Sequence, residues 1–186
     1  MSESVNEQIE FLKLIVQRLD SAGIPYMMTG SMAMAFYAVP RMTRDLDLVI
    51  ECRPADAETI AALFQGDCYA DRAAIRTAVE RRGSFNIIHS KWMIKADFIV
   101  RKDDPYRVAE FARRRTVNVG GARVAVVAPE DLILSKLVWS REGDSDLQLR
   151  DAHAVADAVR EVDRQYMRGW AARLSVADLL EKIGGA

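Results

Sequence analysis

The chain has 186 residues, half of them hydrophobic and 28% charged, a composition that describes a folded globular protein and excludes a disordered or fibrous one. With 26 Lys and Arg against 27 Asp and Glu, the net charge is −1, so no global basic field advertises nucleic acid. Cys52 and Cys68 have neither zinc-ligand spacing nor the number needed for a disulfide framework, and are read as free thiols of a reducing compartment.

In chain order, Ser4 with Glu7 three residues on reads as the cap of a first helix, whose apolar stripe is Ile9, Leu12, Ile15, Val16 and Leu19. This amphipathic, acidic start does not read as a signal peptide, and no apolar run reaches membrane-spanning length, so a cytoplasmic protein with no membrane partner is expected. Gly23-Ile24-Pro25 ends the helix, Tyr26–Thr29 reads as a short buried strand, and Gly30-Ser31 turns it into a second helix from Met32 to Ala38, closed by Pro40. Asp45–Glu51 is predicted as the next strand. Pro54 opens a helix to Phe64, and another fills Arg72–Glu80. Ser84–His89 and Trp92–Val100 read as two strands joined by a tight turn, and Pro105–Arg114 as a helix. Thr116–Val119 and Arg123–Val127 flank Gly120-Gly121, a hairpin signal.

Pro129-Glu130-Asp131 opens a helix with acids in its first turn, where they suit the macrodipole. That helix runs over Leu132–Arg141, followed by helices at Ser145–Val162, Arg164–Leu174 and Val176–Ile183. The expectation is an α/β (α+β) core over residues 1–128, with a mixed central sheet flanked by helices, and a C-terminal helical region over 129–186 packed on it. Arg81-Arg82 and Arg113-Arg114-Arg115 are the local basic runs, read as solvated ends of elements.

The residues that carry chemistry begin with Asp45 and Asp47. At i and i+2 of a strand they share a face, while Leu46 and Leu48 point to the core. Two adjacent carboxylates repel unless a cation sits between them, and magnesium is the natural occupant, because it takes one or two carboxylates and accepts substrate phosphates as further ligands. Asp97 interrupts the apolar run WMIKADFIV, where a carboxylate without a partner is expensive. It would complete a triad if its strand runs beside Asp47. Gly30-Ser31 presents helix-start amides to an anion, with Gly allowing close backbone approach and Ser able to cap the helix or donate to phosphate.

Taken together, Gly30, Ser31, a gap of thirteen residues, then Asp45-Leu46-Asp47-Leu48 and the later Asp97 resemble the nucleotidyltransferase superfamily, over roughly Ile24 to Val100. The resemblance implies transfer of an NMP from an NTP to an acceptor hydroxyl, with pyrophosphate as product and Mg2+ or Mn2+ as cofactor. It assigns Asp45, Asp47 and Asp97 to the metal, Asp97 with general base as its alternative role. Pro129–Leu137, followed by Leu149-Arg150-Asp151, is similar to the AbiEii-type members, which include toxins of type IV toxin–antitoxin systems. In that group Lys136 and Asp151 would complete the site. Asp151 interrupts the stripe of Leu147, Val155 and Val162, and an acid there must be paired or functional. A purely structural Lys136–Asp151 ion pair is the alternative.

Arg41 and Arg44 are candidates for the phosphates, Arg44 the better placed, against exposed loop arginines as the alternative. Lys95 shares a face with Asp97 and would neutralise it. His89, His153, Trp92, Trp139 and Trp170 are read as structural or surface residues. Three functions compete: transfer to RNA (tRNA foremost) or protein by a toxin-like enzyme that has an antitoxin partner, transfer to a small molecule as in aminoglycoside or lincosamide resistance enzymes, and non-catalytic nucleotide or partner binding. The nucleotide base and the acceptor are not written in any motif.

Overall fold

The computed structural model describes residues 3–39, 43 and 45–184, with side chains from residue 5 onward. The elements are α1 (Glu3–Ser21), β1 (Tyr26–Thr29), α2 (Gly30–Met34), β2 (Leu46–Ile50), a 3₁₀ turn at Pro54–Asp56, α3 (Ala57–Leu63), β3 (Cys68–Ala70), α4 (Arg72–Arg81), β4 (Ser84–His89), β5 (Lys95–Val100), α5 (Pro105–Ala112), β6 (Arg115–Val119), β7 (Ala122–Val126), α6 (Pro129–Gly143), α7 (Asp146–Ala158), α8 (Arg164–Arg173) and α9 (Ala177–Lys182). Among them no helix is long and apolar enough to cross a membrane.

Seven strands form one mixed sheet in the order β3-β4-β5-β2-β1-β7-β6. The β2–β5 and β1–β7 pairs are parallel and the other four antiparallel. Strand alternation divides the faces. Leu46, Leu48 and Ile50 of β2, Ala96, Phe98 and Val100 of β5, and Phe85 and Ile87 of β4 are buried on one face. Phe98 stacks on Phe85 with centroids 5.0 Å apart and meets Phe64, at the end of α3, at 5.5 Å. The alternate residues Asp47, Val49, Lys95 and Asp97 are half-buried on the opposite face.

The first helix buries Phe11, Leu12, Ile15, Val16 and Leu19, the three-and-four spacing of a single apolar face, and ends where Gly23 adopts φ 65°. In the β6–β7 hairpin, Gly120 and Gly121 have φ 55° and 88°, a two-residue turn that only glycine enters cheaply. Asn118 Oδ1 accepts the Gly121 N–H at 3.0 Å across it.

Helix α6 is the core of the C-terminal region. Residues Pro129 to Leu137 are buried without a break, because α7, α8, α9 and α2 pack around it. Full burial of Leu132, Ile133, Leu134 and Leu137 contributes about 1.5–3 kcal/mol each. Glu130 and Asp131 are therefore not solvated dipole acids, although they stand in the first turn as expected. Arg113 Nε bonds Asp131 Oδ2 at 3.0 Å, and its guanidinium reaches Glu130 at 3.1 Å. Arg115 reaches Glu130 at 3.5 Å. Tyr166 donates to Asp131 Oδ1 at 2.6 Å and lies under the Arg113 guanidinium at 3.9 Å. The expectation of solvated arginines at 113–115 is thus corrected for Arg113, which is half-buried against acids brought by a distant helix, whereas Arg115 stays exposed while reaching Glu130. Beside them, Ser135 donates to the buried Glu110, which also pairs with Arg107 at 2.8 Å.

Several boundaries differ from the sequence reading. β3 was not expected: three residues beside a turn carry too little periodicity to register, and pairing with β4 creates the strand. Trp92 and Met93 form the turn before β5 rather than its start, with Met93 at φ 53°. Helix α7 stops at Ala158 instead of Val162, because Asp163 caps α8 through the Tyr166 N–H and its own N–H is held by Glu130. Leu147 is exposed and Val162 lies beyond the helix, so the buried stripe is Asp151, Ala152 and Val155.

Candidate active site

The strand ends bring one row of polar residues together. Thr29 of β1 is in register with Asp47 of β2, Asp47 with Asp97 of parallel β5, and Asp97 with Asn86 of β4. Residues directly opposite across neighbouring strands share a face, so both aspartates project from the face opposite Leu46, Leu48 and Phe98. Asp45 stands one residue before β2, not within it, and is exposed. Thr29 and Asn86 escaped the sequence reading, since only register places them beside the carboxylates.

Gly30 closes the other side. It has φ 66°, and a Cβ built there would stand 2.0 Å from Asp47 Oδ2 and 2.6 Å from its carboxyl carbon. No other residue fits that contact and that dihedral together. Helix α2 starts at Gly30 itself and is shorter than expected, ending at Met34 before a run of turns. The cap position belongs to Thr29, so Ser31 is not the N-cap; it sits buried inside the first turn.

The electrostatics follow from this packing. Burial, then the neighbouring charges of Asp97 and Asp45, push Asp47 up to about 6, against the lowering effects of Lys95 and Lys136. Lys95 Nζ lies 2.8 Å from Asp97 Oδ2 and 3.7 Å from Asp45 Oδ2. Lys136, only 1% exposed, bonds Asp151 Oδ2 at 2.8 Å and Gln148 Oε1 at 3.1 Å. Lys136 and Asp151 therefore form an ion pair, and the ammonium acts electrostatically on Asp47. Of the residues expected at the site, Asp45, Asp47, Asp97, Gly30, Ser31, Lys136 and Asp151 fall in one neighbourhood built from α2, β2 and the residue before it, β5, α6 and α7. Arg44, Arg41 and Pro40 lie outside the described residues.

The donor set suits a hard divalent ion: three carboxylates, one held above its ordinary pKa by burial and then by the other two, with glycine giving access where any side chain would block it. Among the described residues no three acidic, His or Cys side chains are grouped closely enough to hold a metal ion as they stand. The histidines stand elsewhere. His89 is buried, stacks on Trp92 at 4.0 Å and accepts the Trp92 N–H, while His153 is exposed beside Asp157. Trp170 packs against Tyr106 at 5.2 Å.

No protein-family model matches the sequence, and no curated protein matches it. Solved structures do. An antigenic nucleotidyltransferase-like protein from Paracoccidioides brasiliensis aligns with a TM-score of 0.62 at 17% identity, over 97% of this chain and 93% of that one. The antibiotic-resistance factor ANT(2'')-Ia aligns in its solution structure with a TM-score of 0.57 at 15% identity, over 95% and 96% of the two chains. Its crystal structure in complex with adenylyl-2''-tobramycin gives 0.57 at 14%, over 91% and 97%. At these identities the agreement is one of architecture, and the mixed seven-stranded sheet with its flanking helices has the nucleotidyltransferase fold.

Proposed function

We propose that the chain is a metal-dependent nucleotidyltransferase that moves an NMP unit from an NTP to an acceptor hydroxyl and releases pyrophosphate. The observation that carries this reading is the in-register pair Asp47–Asp97 on parallel strands, with Gly30 packed so closely on Asp47 that no Cβ fits. Asp45, Asp47 and Asp97 would hold Mg2+ or Mn2+. When bound, the ion neutralises phosphate charge and makes the acceptor hydroxyl more acidic.

The chain's own groups do the rest. Amides at the start of α2, at Gly30 and Ser31, donate to phosphate oxygens. Arg44, next to Asp45 in sequence, adds a guanidinium to them. The acceptor oxygen bonds the α-phosphorus as the bond to the leaving pyrophosphate breaks, and Asp97 takes the hydroxyl proton. Lys136, anchored by Asp151, supplies fixed positive charge in a buried setting where charge is worth most.

The acceptor in this reading is RNA, tRNA foremost, or a protein, as in a toxin that an antitoxin partner restrains. The test is incubation of purified protein with each α-labelled NTP and magnesium, with and without total tRNA, beside Asp47→Ala. Label on RNA or on protein, lost in the variant, supports the reading; label retained by the variant refutes the site.

A second reading, transfer to a small hydroxylated molecule, is favoured by the near full-length similarity to ANT(2'')-Ia. Pyrophosphate release from ATP in the presence of one member of an aminoglycoside panel would establish it. No release across the panel would remove it.

A further inference from the structure

We propose that Lys95 is an internal counter-ion that occupies the cation position of the nucleotide-free protein and withdraws when a divalent ion binds. The inference rests on the metal-dependent reading above. Lys95 and Asp97 are i and i+2 on β5 and so share a face. The ammonium bonds Asp97 Oδ2 at 2.8 Å and lies 3.7 Å from Asp45 Oδ2, so it joins a carboxylate of β5 to one that stands just before β2. Those are two of the three acids that would hold the ion in that reading, and among the described residues no three acidic, His or Cys side chains are grouped to hold a metal as they stand.

The two lysines of the site differ in how firmly they are held. Lys136 is 1% exposed and fixed by Asp151 and Gln148. The Lys95 side chain is 38% exposed, on a flexible four-carbon stem whose head returns to water at little cost. A doubly charged ion on the oxygens of Asp45 and Asp97 would meet this ammonium at close range, and two cations a few ångströms apart repel. One must leave, and the exposed, flexible group is the one that can. Once released, the ammonium stays beside the site as a partner for triphosphate oxygens. Lys95 is thus a positioning residue that keeps three carboxylates compatible with folding before substrate arrives and makes metal binding in the nucleotide-free protein weak.

The test is direct Mn2+ binding to the nucleotide-free full chain, read by the electron paramagnetic resonance of the free ion. The variants are Lys95→Met, Lys95→Arg and, as an exposed lysine off the site, Lys91→Met. Lys95→Met is expected to bind Mn2+ about tenfold more tightly than the parent. Lys95→Arg should keep the weak binding, and Lys91→Met should leave it unchanged. Thermal unfolding supplies a second readout: without metal Lys95→Met melts below the parent, and Mn2+ raises its Tm by more than it raises the parent's.

If the parent binds Mn2+ and Lys95→Met binds it no better, or if Lys91→Met gains as much, the counter-ion role is overturned while the metal-dependent reading stands. If no protein in the set binds Mn2+, with or without a non-hydrolysable NTP analogue, the metal-dependent reading falls and takes this one with it.

Discussion

Asp47→Asn should make the metal-free protein more stable, with a characteristic pH dependence. Burial, reinforced by Asp97 and Asp45, pushes the Asp47 carboxyl from its ordinary 3.8 up to about 6, against the opposing pull of Lys95 and Lys136. A folded state that holds the proton more tightly than the unfolded chain loses stability as pH rises. The Asp47 contribution is fully present below about pH 4, declines as the unfolded carboxyl ionises first, and is lost once pH passes about 6. The total loss corresponds to about 3 kcal/mol. Asparagine keeps the shape of the side chain against Gly30 and removes the charge. Its advantage should be about 3 kcal/mol near pH 8, about half of that near pH 5, and close to zero near pH 3.

For a chain of this length each kcal/mol moves Tm by about 2–4 °C, so the variant should melt about 6–12 °C higher near pH 8. The assay is chelator-treated protein melted by circular dichroism across this pH range, with denaturant titration at the two ends. Magnesium should then raise the Tm of the parent and not of the variant, while the variant transfers no nucleotide. A variant no more stable than the parent near pH 8, or an advantage that does not change with pH, would refute the electrostatic account of the cluster.

Gly30→Ala should abolish transfer and destabilise by about 1–3 kcal/mol, since its Cβ falls 2.0 Å from Asp47 Oδ2 at a positive φ. Gly121→Ala, also at positive φ but with nothing within 4 Å, should cost about 1 kcal/mol and leave transfer intact; paired activity and melting measurements separate the two. Asp151→Ala should cost about 3–5 kcal/mol, because it removes the carboxylate bonded to a buried ammonium. The double variant Lys136→Met/Asp151→Leu should recover much of that stability in denaturant titration but not activity, whereas recovery of activity would reduce the pair to a structural one. Tyr166→Phe should cost about 1–2 kcal/mol by withdrawing the hydroxyl from Asp131, with kcat unchanged, since this network stands apart from the carboxylates.

The sequence by itself determined what depends on neighbours along the chain. Period-two alternation set Leu46 and Leu48 inward and Asp47 outward, and Gly120-Gly121 demanded the hairpin turn because both positions need positive φ. The spacing of Gly30-Ser31 and Asp45-Leu46-Asp47 marked the candidate site for the same reason: strand, turn and helix are local events. Helix ends were less legible, as at Val159, where a cap contributed by Asp163 and a bond to distant Glu130 outweighed a continuing apolar pattern.

Tertiary structure alone decided the rest. That Asp97 stands opposite Asp47 depends on β5 pairing parallel to β2, a pairing between strands some fifty residues apart along the chain that no local pattern announces. The burial of Glu130 and Asp131 under Arg113, Arg115 and Tyr166 was equally invisible, because acids in a first helical turn look the same in sequence whether solvent or a neighbouring helix covers them. Gly30 shows the division within one residue. Its sequence position announces a turn, but the reason it must be glycine is the carboxylate of Asp47, delivered by another strand to the place where a side chain would have been.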